Sequence, residues 1–278
     1  MSNILIPIDF SDISLNALKH SYIISSLYKS HVNMLYVIES GNPLFAFVNQ
    51  TELQELISRV ENKFKELKAI SEQETGLEAK YFIEKGNIVD KILQKAHELD
   101  IELLVMGTTG SGDIRKKIIG SNTLRVIKEA SFPVLSIKNI IPPRTYKKIV
   151  LPLDLTKQTT KKIKYAVKFA KFFGASIHLI SVVTSDNYII NDTLIFKLEQ
   201  TRRKIEAEDI KCETKIEYES NSTTKVAHKI LNYCYDISAD LIMIMTQQET
   251  GIKKFFLGSL ASEIVNKAQL PVLSINPQ

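Results

Sequence analysis

Cysteine is scarce in this sequence, and long apolar runs are missing. The two cysteines, Cys212 and Cys234, form no C-x-x-C pair, so neither a disulfide framework nor a thiolate metal site is expected, and a reducing compartment is indicated. No apolar run approaches the roughly 18 residues that a membrane helix needs, and the first residues do not resemble a secretory signal. We therefore expect a cytoplasmic protein that does not associate with membranes.

Concentrated positive charge is also missing. The formal net charge is +5 over 278 residues, and the lysines are scattered along the chain. Binding to a nucleic-acid backbone needs a concentrated basic face, so nucleic acid is not an expected partner. The 44% of hydrophobic and 24% of charged residues describe an ordinary globular protein, and the length is comfortable for two domains.

The sequence contains the same pattern twice. Residues 4–11 return as residues 149–156, and residues 103–137 return as residues 241–275. Two anchors in the same order indicate an internal duplication, and their closer spacing in the second copy indicates a deletion there.

A proline pair lies between the two copies. Pro142 and Pro143 interrupt both strand pairing and helix continuation, which indicates a short stiff linker. We predict two domains, at residues 1–140 and 146–278.

Within each copy, apolar strand-like runs alternate with helical patterns. In the first copy, strands are predicted at 3–8, 31–38, 79–83, 103–106 and 134–137, and helices at 12–28, 50–71, 89–98 and 121–130. This alternation predicts an α/β fold with a parallel, doubly wound sheet covered by helices on both faces. Ligands of such sheets bind outside the carboxyl ends of the strands, where the strand order switches.

The most informative pattern is a glycine-rich connection between a strand and a helix. Gly107-Thr-Thr-Gly110 follows an apolar run, and after nine more residues Gly120-Ser121 precedes a helix. Glycine permits positive φ and close approach of the backbone to a ligand, and a helix N-terminus offers N–H groups to an anion. The combination suits a phosphate, although tight turns alone would explain Gly107 and Gly110 equally well.

Two other strand ends are expected to line the same crevice. Pro7-Ile8-Asp9 ends the first strand and Val37 lies at the end of the second. Asp9 can accept hydrogen bonds from a ribose hydroxyl or an exocyclic amine, or it can cap the next helix. Ile8 and Val37 can wall a flat base or serve as ordinary core residues. Ser121 likewise can be an N-cap, a phosphate contact, or both.

These motifs together resemble the universal stress protein family. The resemblance lies in Pro7-Ile-Asp9-Phe-Ser11, in Gly107-x2-Gly110-x9-Gly120-Ser121, and in the closing Pro133-Val-Leu-Ser-Ile137, and it covers essentially the whole chain. The duplication is similar to the family's tandem members. The resemblance implies two five-stranded parallel-sheet domains of the adenine nucleotide alpha hydrolase-like, Rossmann-like type, related by a pseudo-two-fold axis. It also implies that Val134–Ile137 pairs with Val272–Ile275.

The resemblance implies a ligand as well, because family members with the glycine motif bind ATP or related adenine nucleotides. By position, Asp9 and Val37 would contact adenine or ribose, and Met106 and Gly107 would contact the ribose. The expected phosphate contacts, with Mg²⁺ bound through them, are Gly110, Gly120, Ser121 and Asn122. Pro7 and Ile8 complete the expected nucleotide contacts.

The second copy departs from this pattern. Met245 and Gln248 stand where the first copy has Gly107 and Gly110, and each adds a long side chain where backbone must approach phosphate. Two phenylalanines, Phe255 and Phe256, could fill the vacated crevice. We predict that the second copy does not bind ATP, or binds it far more weakly.

Three functions stay open at this point. The first is a nucleotide-binding regulatory protein of the stress response, the second a slow ATPase, and the third a nucleotide-free scaffold that docks partners through residues 43–48. The motif segments contain no Walker lysine, no histidine and no carboxylate pair for two metals, so no catalytic residue is assigned. The sequence distinguishes ATP from AMP or a cyclic dinucleotide only weakly as the ligand. A protein partner, or a homodimer of tandem chains, is also compatible with the sequence.

Overall fold

The computed structural model describes residues 2–40, 50–108, 119–140, 142–143, 145–153, 159–183, 188–219, 222–246 and 257–276. The chain divides into two compact units. Unit 1 consists of Met1–Phe132 with Ile140–Arg144, and unit 2 consists of Pro133–Asn139 with Thr145–Gln278. The candidate docking segment 43–48 lies outside the described residues.

Unit 1 is built from four strands and four helices within its described residues. The strands are β1 (Asn3–Pro7), β2 (His31–Glu39), β3 (Ala79–Gly86) and β4 (Ile101–Gly107). The helices are α1 (Asp12–Tyr28), α2 (Gln50–Thr75), α3 (Ile88–Glu98) and α4 (Ser121–Glu129). The strand order is β3-β2-β1-β4, with parallel pairing throughout, so the order reverses between β1 and β4.

The apolar strands of unit 1 form its core. Ile4, Leu5 and Ile6 are fully buried, as expected for a parallel sheet with both faces covered. Helix α1 packs with α2, and α3 packs with α4. The apolar stripe of α2 buries Val60 and Phe64, so this stripe is core and not a ligand site.

Unit 2 repeats the arrangement and adds two strands. Its strands are β5 (Val134–Ile137), β6 (Lys148–Pro152), β7 (Ser176–Val183), β8 (Cys212–Tyr218), β9 (Leu241–Met245) and β10 (Val272–Ile275). Its helices are α5 (Thr159–Phe173), α6 (Tyr188–Glu206), α7 (Thr223–Asp236) and α8 (Ser259–Lys267). The strand order is β5-β10-β9-β6-β7-β8. The predicted α/β class with parallel sheets is confirmed.

Strand β5 comes from the end of the first repeat but groups with unit 2. It runs antiparallel to β10, with Leu135 opposite Leu273, and the Ser136 hydroxyl donates to the Val272 carbonyl at 3.2 Å. The expected pairing of these two strands is therefore present. The strands divide four to six between the units instead of five to five, because β5 is grouped with the unit of its antiparallel partner. The domain limits 1–140 and 146–278 remain a prediction about the repeats.

Both cysteines are buried in unit 2 as free thiols. Burial raises the pKa of Cys212 and of Cys234 to about 12 each, so both thiols stay protonated at neutral pH and are poor nucleophiles. The described residues contain no group of three or more histidine, cysteine, aspartate or glutamate side chains placed to hold a metal ion. No helix within the same residues is long and apolar enough to cross a membrane.

Candidate functional site

The turn after β1 is organised by the side chain of Asp9. Its Oδ1 accepts hydrogen bonds from the Ser11 N–H at 3.0 Å and from the Ser11 hydroxyl at 2.5 Å. Helix α1 is capped by Ser11, whose Oγ accepts from the Ser14 N–H at 3.3 Å. Asp9 is therefore not the N-cap. Its carboxylate shapes the turn and is exposed at the surface.

Gly107 is the last residue of β4 and packs directly against the start of α1. A Cβ atom at this position would lie 2.8 Å from Ile13 Cγ2, 3.1 Å from the Ile13 carbonyl carbon and 3.2 Å from the Ser14 nitrogen. Real Cβ atoms do not approach other atoms so closely, so only glycine fits here without a shift. The space freed by the missing side chain is occupied by α1. Contact between the Gly107 backbone and a nucleotide stays a prediction.

The connection from β4 to α4 is closed by backbone hydrogen bonds. The Gly120 N–H donates to the Thr108 carbonyl at 2.7 Å, and the Thr123 hydroxyl donates to the Gly107 carbonyl at 3.2 Å. Gly120, and not Ser121, is the N-cap of α4, at φ −62° and ψ 145°, and no side chain caps the helix. The positive φ that glycine permits is thus not used at Gly120. Among the described residues, no side chain is recorded as an acceptor for the first N–H groups of α4, as an anion site requires.

The sequence reasoning missed Thr108. This residue is 1% exposed, and within the described part of the chain its hydroxyl has no hydrogen-bond partner. The equivalent Thr246 in the second repeat donates to the Ile275 carbonyl at 3.4 Å. An unsatisfied buried hydroxyl costs free energy, so Thr108 offers a donor next to the expected phosphate position. The only signal in the sequence was the first threonine of Gly-Thr-Thr-Gly.

The apolar residues of the predicted site divide into core and surface. Ile8 and Met106 are buried, whereas Pro7 and Val37 are half-buried. The Ile8 N–H extends the β1–β2 ladder by donating to the Leu35 carbonyl at 2.8 Å. Pro7 and Val37 therefore remain as the apolar surface that a base could contact.

Three predicted segments are brought together. The Asp9 turn and Gly107 meet at the first turn of α1, and Gly107 is bonded to α4 beside Gly120. Ser121 and Asn122 are exposed in the first turn of α4. Gly110 lies outside the described residues.

The arginine of α4 already has acidic partners. Arg125 forms ion pairs with Glu129 at 2.8 Å and with Asp90 at 3.2 Å. At the neighbouring strand end, burial and the charge of Asp9 raise the pKa of Tyr36, so this phenol stays protonated beside the carboxylate. The attraction of α4 for an anion therefore depends on its backbone N–H groups.

The second repeat keeps the backbone of this site and changes its side chains. The Gly258 N–H donates to the Thr246 carbonyl at 2.8 Å, and Gly258 is the N-cap of α8. Met245, 4% exposed, stands where the first repeat has Gly107. Gln248, Phe255 and Phe256 lie outside the described residues.

A buried lysine is a further difference between the repeats. Lys162 of α5 is 5% exposed, and its ammonium donates to the Pro152 carbonyl at the end of β6. The first repeat has Ala17 at the position of Lys162 and Pro7 at the position of Pro152. The lysine thus occupies the strand end that corresponds to the Asp9 side of the first site. No motif in the sequence indicated this contact.

One arrangement in unit 2 has the composition of a catalytic triad. Ser176 Oγ lies 3.0 Å from His178 Nε2, and His178 Nδ1 lies 3.5 Å from Glu213 Oε2. The backbone N–H groups of Ala175, Ser176 and Ile177 all donate to carbonyls. None of these three is left to stabilise an oxyanion, which acyl transfer requires. We interpret the arrangement as a polar contact of the sheet.

Protonation of His178 is expected to destabilise the fold. Burial lowers the pKa of His178 below its ordinary 6.5, assisted by Lys148 and Lys211 and opposed by Glu213. Because the unfolded chain then binds the proton more readily, stability falls as pH drops below about 6.5, by up to about 1 kcal/mol per pH unit. Urea unfolding between about pH 7.5 and about pH 5.5 should show a smaller loss for His178→Gln than for wild type. Equal losses would contradict the assignment.

The comparisons with known proteins agree with the duplicated fold. The sequence model of the universal stress protein family matches residues 1–138 and 145–276. A universal stress protein of Methanocaldococcus jannaschii is 33% identical over 140 residues, which cover 49% of this chain and 81% of that protein. A second one from this organism is 27% identical over 153 residues, covering 49% of this chain and 93% of that protein.

A solved structure matches along the whole chain. The crystal structure of a universal stress protein from Archaeoglobus fulgidus has a TM-score of 0.80, with 99% of this chain and 98% of that chain covered. The sequence identity is 19%, so this likeness shows a common fold. Since the family model matches both repeats, the chain belongs to the universal stress protein family.

Proposed function

We propose that the first repeat binds an adenine nucleotide, with ATP favoured, and that occupancy sets the conformation or the partners of the protein in a stress response. One observation carries the proposal: Gly107 packs on the first turn of α1, which directly follows the Asp9 turn, and is hydrogen-bonded to the helix capped by Gly120. An exposed carboxylate and the N-terminal N–H groups of α4 are thereby held at neighbouring strand ends. A nucleotide carries groups for both: hydroxyl and amine donors at one end, and phosphates at the other.

The described residues fit this ligand. Asp9 would accept from the ribose or the adenine amine, with Val37 as an apolar wall. The N-terminus of α4 would hold phosphate oxygens through its backbone N–H groups, and the buried hydroxyl of Thr108 would gain a partner. Gly110 would extend this contact. The resemblance of the glycine motif to ATP-binding family members supports the same ligand.

Magnesium enters the proposal only as an ion that the phosphates of the nucleotide would coordinate. The described residues offer no cluster of carboxylate, histidine or cysteine ligands for a metal ion. Phosphate oxygens and water would therefore supply most of the ligands of Mg²⁺, as is usual for this ion. Ser121 is the hydroxyl nearest in sequence to the N-cap and would be its protein contact.

Nucleotide binding is expected to stabilise the fold measurably. ATP at about one hundred times its Kd should raise the free energy of unfolding by about 2.7 kcal/mol, because only the folded chain binds it. Thermal unfolding and calorimetric titration with ATP, AMP and GTP would measure the effect and its base specificity. GTP is the control, since its base presents a carbonyl where adenine presents the amine.

The same measurements can refute the proposal. A melting temperature that ignores ATP and AMP, together with protein that purifies free of nucleotide, would favour the nucleotide-free scaffold. Stabilisation by GTP equal to that by ATP would overturn the assignment of adenine to the Asp9 side.

A further inference from the structure

Phe10 is an aromatic residue with a left-handed backbone, in the turn between Asp9 and Ser11. Its φ is 61°, a conformation that residues with a large side chain rarely adopt. Such a conformation persists where the surrounding structure holds it in place.

Phe10 belongs to a cluster of four aromatic rings, which we name the aromatic anchor: Phe10, Tyr36, Phe64 and Tyr81. The Phe10 ring centroid lies 5.5 Å from that of Tyr36 and 5.3 Å from that of Phe64. Phe64 is itself stacked on Tyr81 at 5.1 Å, and the Lys63 ammonium lies 4.9 Å from the Phe10 ring centroid. These separations are those of favourable aromatic and cation–π contacts.

The backbone of Phe10 determines where the Asp9 carboxylate lies. The hydrogen bond from the Ser11 N–H to Asp9 Oδ1 spans Phe10, so Phe10 is the central residue of an Asx-turn. A change in its backbone angles would separate the carboxylate from its two donors on Ser11. The orientation of Asp9 therefore depends on the conformation of Phe10.

The anchor connects this turn to three elements of unit 1. Tyr36 belongs to β2, Phe64 to α2 and Tyr81 to β3, and Phe64 is fully buried. The charge of Asp9 contributes to the raised pKa of Tyr36, which agrees with a phenol close to the carboxylate. Helix α2 thus contacts the Asp9 turn at the ring of Phe10.

The second repeat lacks part of this arrangement. Strand β2 begins at His31 opposite Asn3, and β7 begins at Ser176 opposite Lys148, so Ser181 corresponds to Tyr36. Ser181 offers no ring to a residue in the preceding turn. The complete aromatic anchor is thus found in the first repeat, which is also the repeat with the intact glycine motif.

We propose that Phe10 is a positioning residue, which orients the Asp9 carboxylate toward the nucleotide and couples the docking of α2 to occupancy of the site. The inference rests on the proposed function. If docked α2 favours binding, then by linkage the bound nucleotide must stabilise α2 by the same factor.

The test separates the ring of Phe10 from its backbone preference. Calorimetric titration of the full chain with ATP should give an affinity about tenfold weaker for Phe10→Ala and for Phe10→Gly. Phe10→Gly removes the ring but favours the left-handed backbone. Weaker ATP binding by this variant would therefore assign the effect to the ring. Phe10→Tyr keeps the ring and should bind within about twofold of wild type.

Two further variants test the coupling at a distance. Phe64→Leu changes the aromatic anchor without touching the expected nucleotide position. It should also weaken ATP binding, by about fivefold. Phe169→Leu in α5 is the matched control, because Phe169 contacts Phe173 in the core of unit 2 and should not alter the affinity. In hydrogen exchange, ATP should slow exchange of α2 in wild type and Phe10→Tyr, and not in Phe10→Ala under saturating ATP.

The outcomes distinguish the inference from the function on which it rests. No ATP binding by wild type would refute the proposed function and the inference with it. Binding by wild type that is unchanged in Phe10→Ala and Phe10→Gly, or exchange of α2 that ignores ATP, would overturn the inference alone. Equal weakening by Phe169→Leu would do the same, because the effect would then be one of general stability.

Discussion

Replacement of Gly107 by alanine is expected to weaken ATP binding at least about tenfold and to lower the free energy of unfolding by about 1–3 kcal/mol. The added Cβ would lie 2.8 Å from Ile13 Cγ2 and 3.2 Å from the Ser14 nitrogen. Strand β4 or the start of α1 must therefore move, and the N-cap of α1, Ser11, is bonded to the Asp9 carboxylate. Urea unfolding and calorimetric titration with ATP measure the two losses separately.

The second repeat supplies a matched control for this prediction. A Cβ at Gly258 would lie 3.7 Å from the Thr246 carbonyl oxygen, an ordinary contact, so Gly258→Ala should leave stability within about 0.5 kcal/mol and ATP affinity unchanged. If Gly107→Ala were as stable as wild type and bound ATP equally well, the close packing of β4 on α1 would contribute neither to stability nor to nucleotide binding.

A single ATP per chain is the second result with a large expected effect. Met245 places a long side chain at the position of Gly107, and the Lys162 ammonium is bonded to the Pro152 carbonyl at the strand end that corresponds to Pro7. Met245 lacks the bare backbone that lets Gly107 pack closely on α1 in the first repeat, and Lys162 places a side chain at the strand end where a nucleotide would approach. Equilibrium dialysis at saturating ATP should therefore give one site per chain.

Variants of the two repeats should affect this stoichiometry unequally. Gly107→Ala should remove most of the measured binding, whereas Met245→Ala should leave one site of unchanged affinity. Two equivalent sites in wild type would refute the prediction that the second repeat is inactive.

Most of the fold could be predicted because its signals are local. Helix α1 occupies Asp12–Tyr28 as predicted, since a serine cap precedes it and an apolar face follows. The strands were recognisable as short apolar runs, and β4 differs from its predicted range, 103–106, in beginning at Ile101 and ending at Gly107. The duplication made the second repeat predictable from the first.

What could not be predicted depends on contacts between distant segments. The packing of Gly107 on Ile13 joins residues far apart in sequence, so the sequence explained this glycine only through space for a ligand or through a tight turn. The buried ammonium of Lys162 and the unsatisfied hydroxyl of Thr108 likewise depend on tertiary neighbours. Phe10 was invisible as a special residue, because nothing in the sequence indicates a left-handed φ at a phenylalanine.

The position of β5 has a consequence for any attempt to divide this chain. A fragment that starts at Thr145, where the second repeat begins, would include β10 without the strand that pairs with it. The N–H and C=O groups along that margin of β10 would then lie open to another chain, which is how exposed sheet edges aggregate or exchange strands. A fragment of the second half that folds by itself should therefore also include about thirteen residues from the end of the first repeat, from about Phe132 onward.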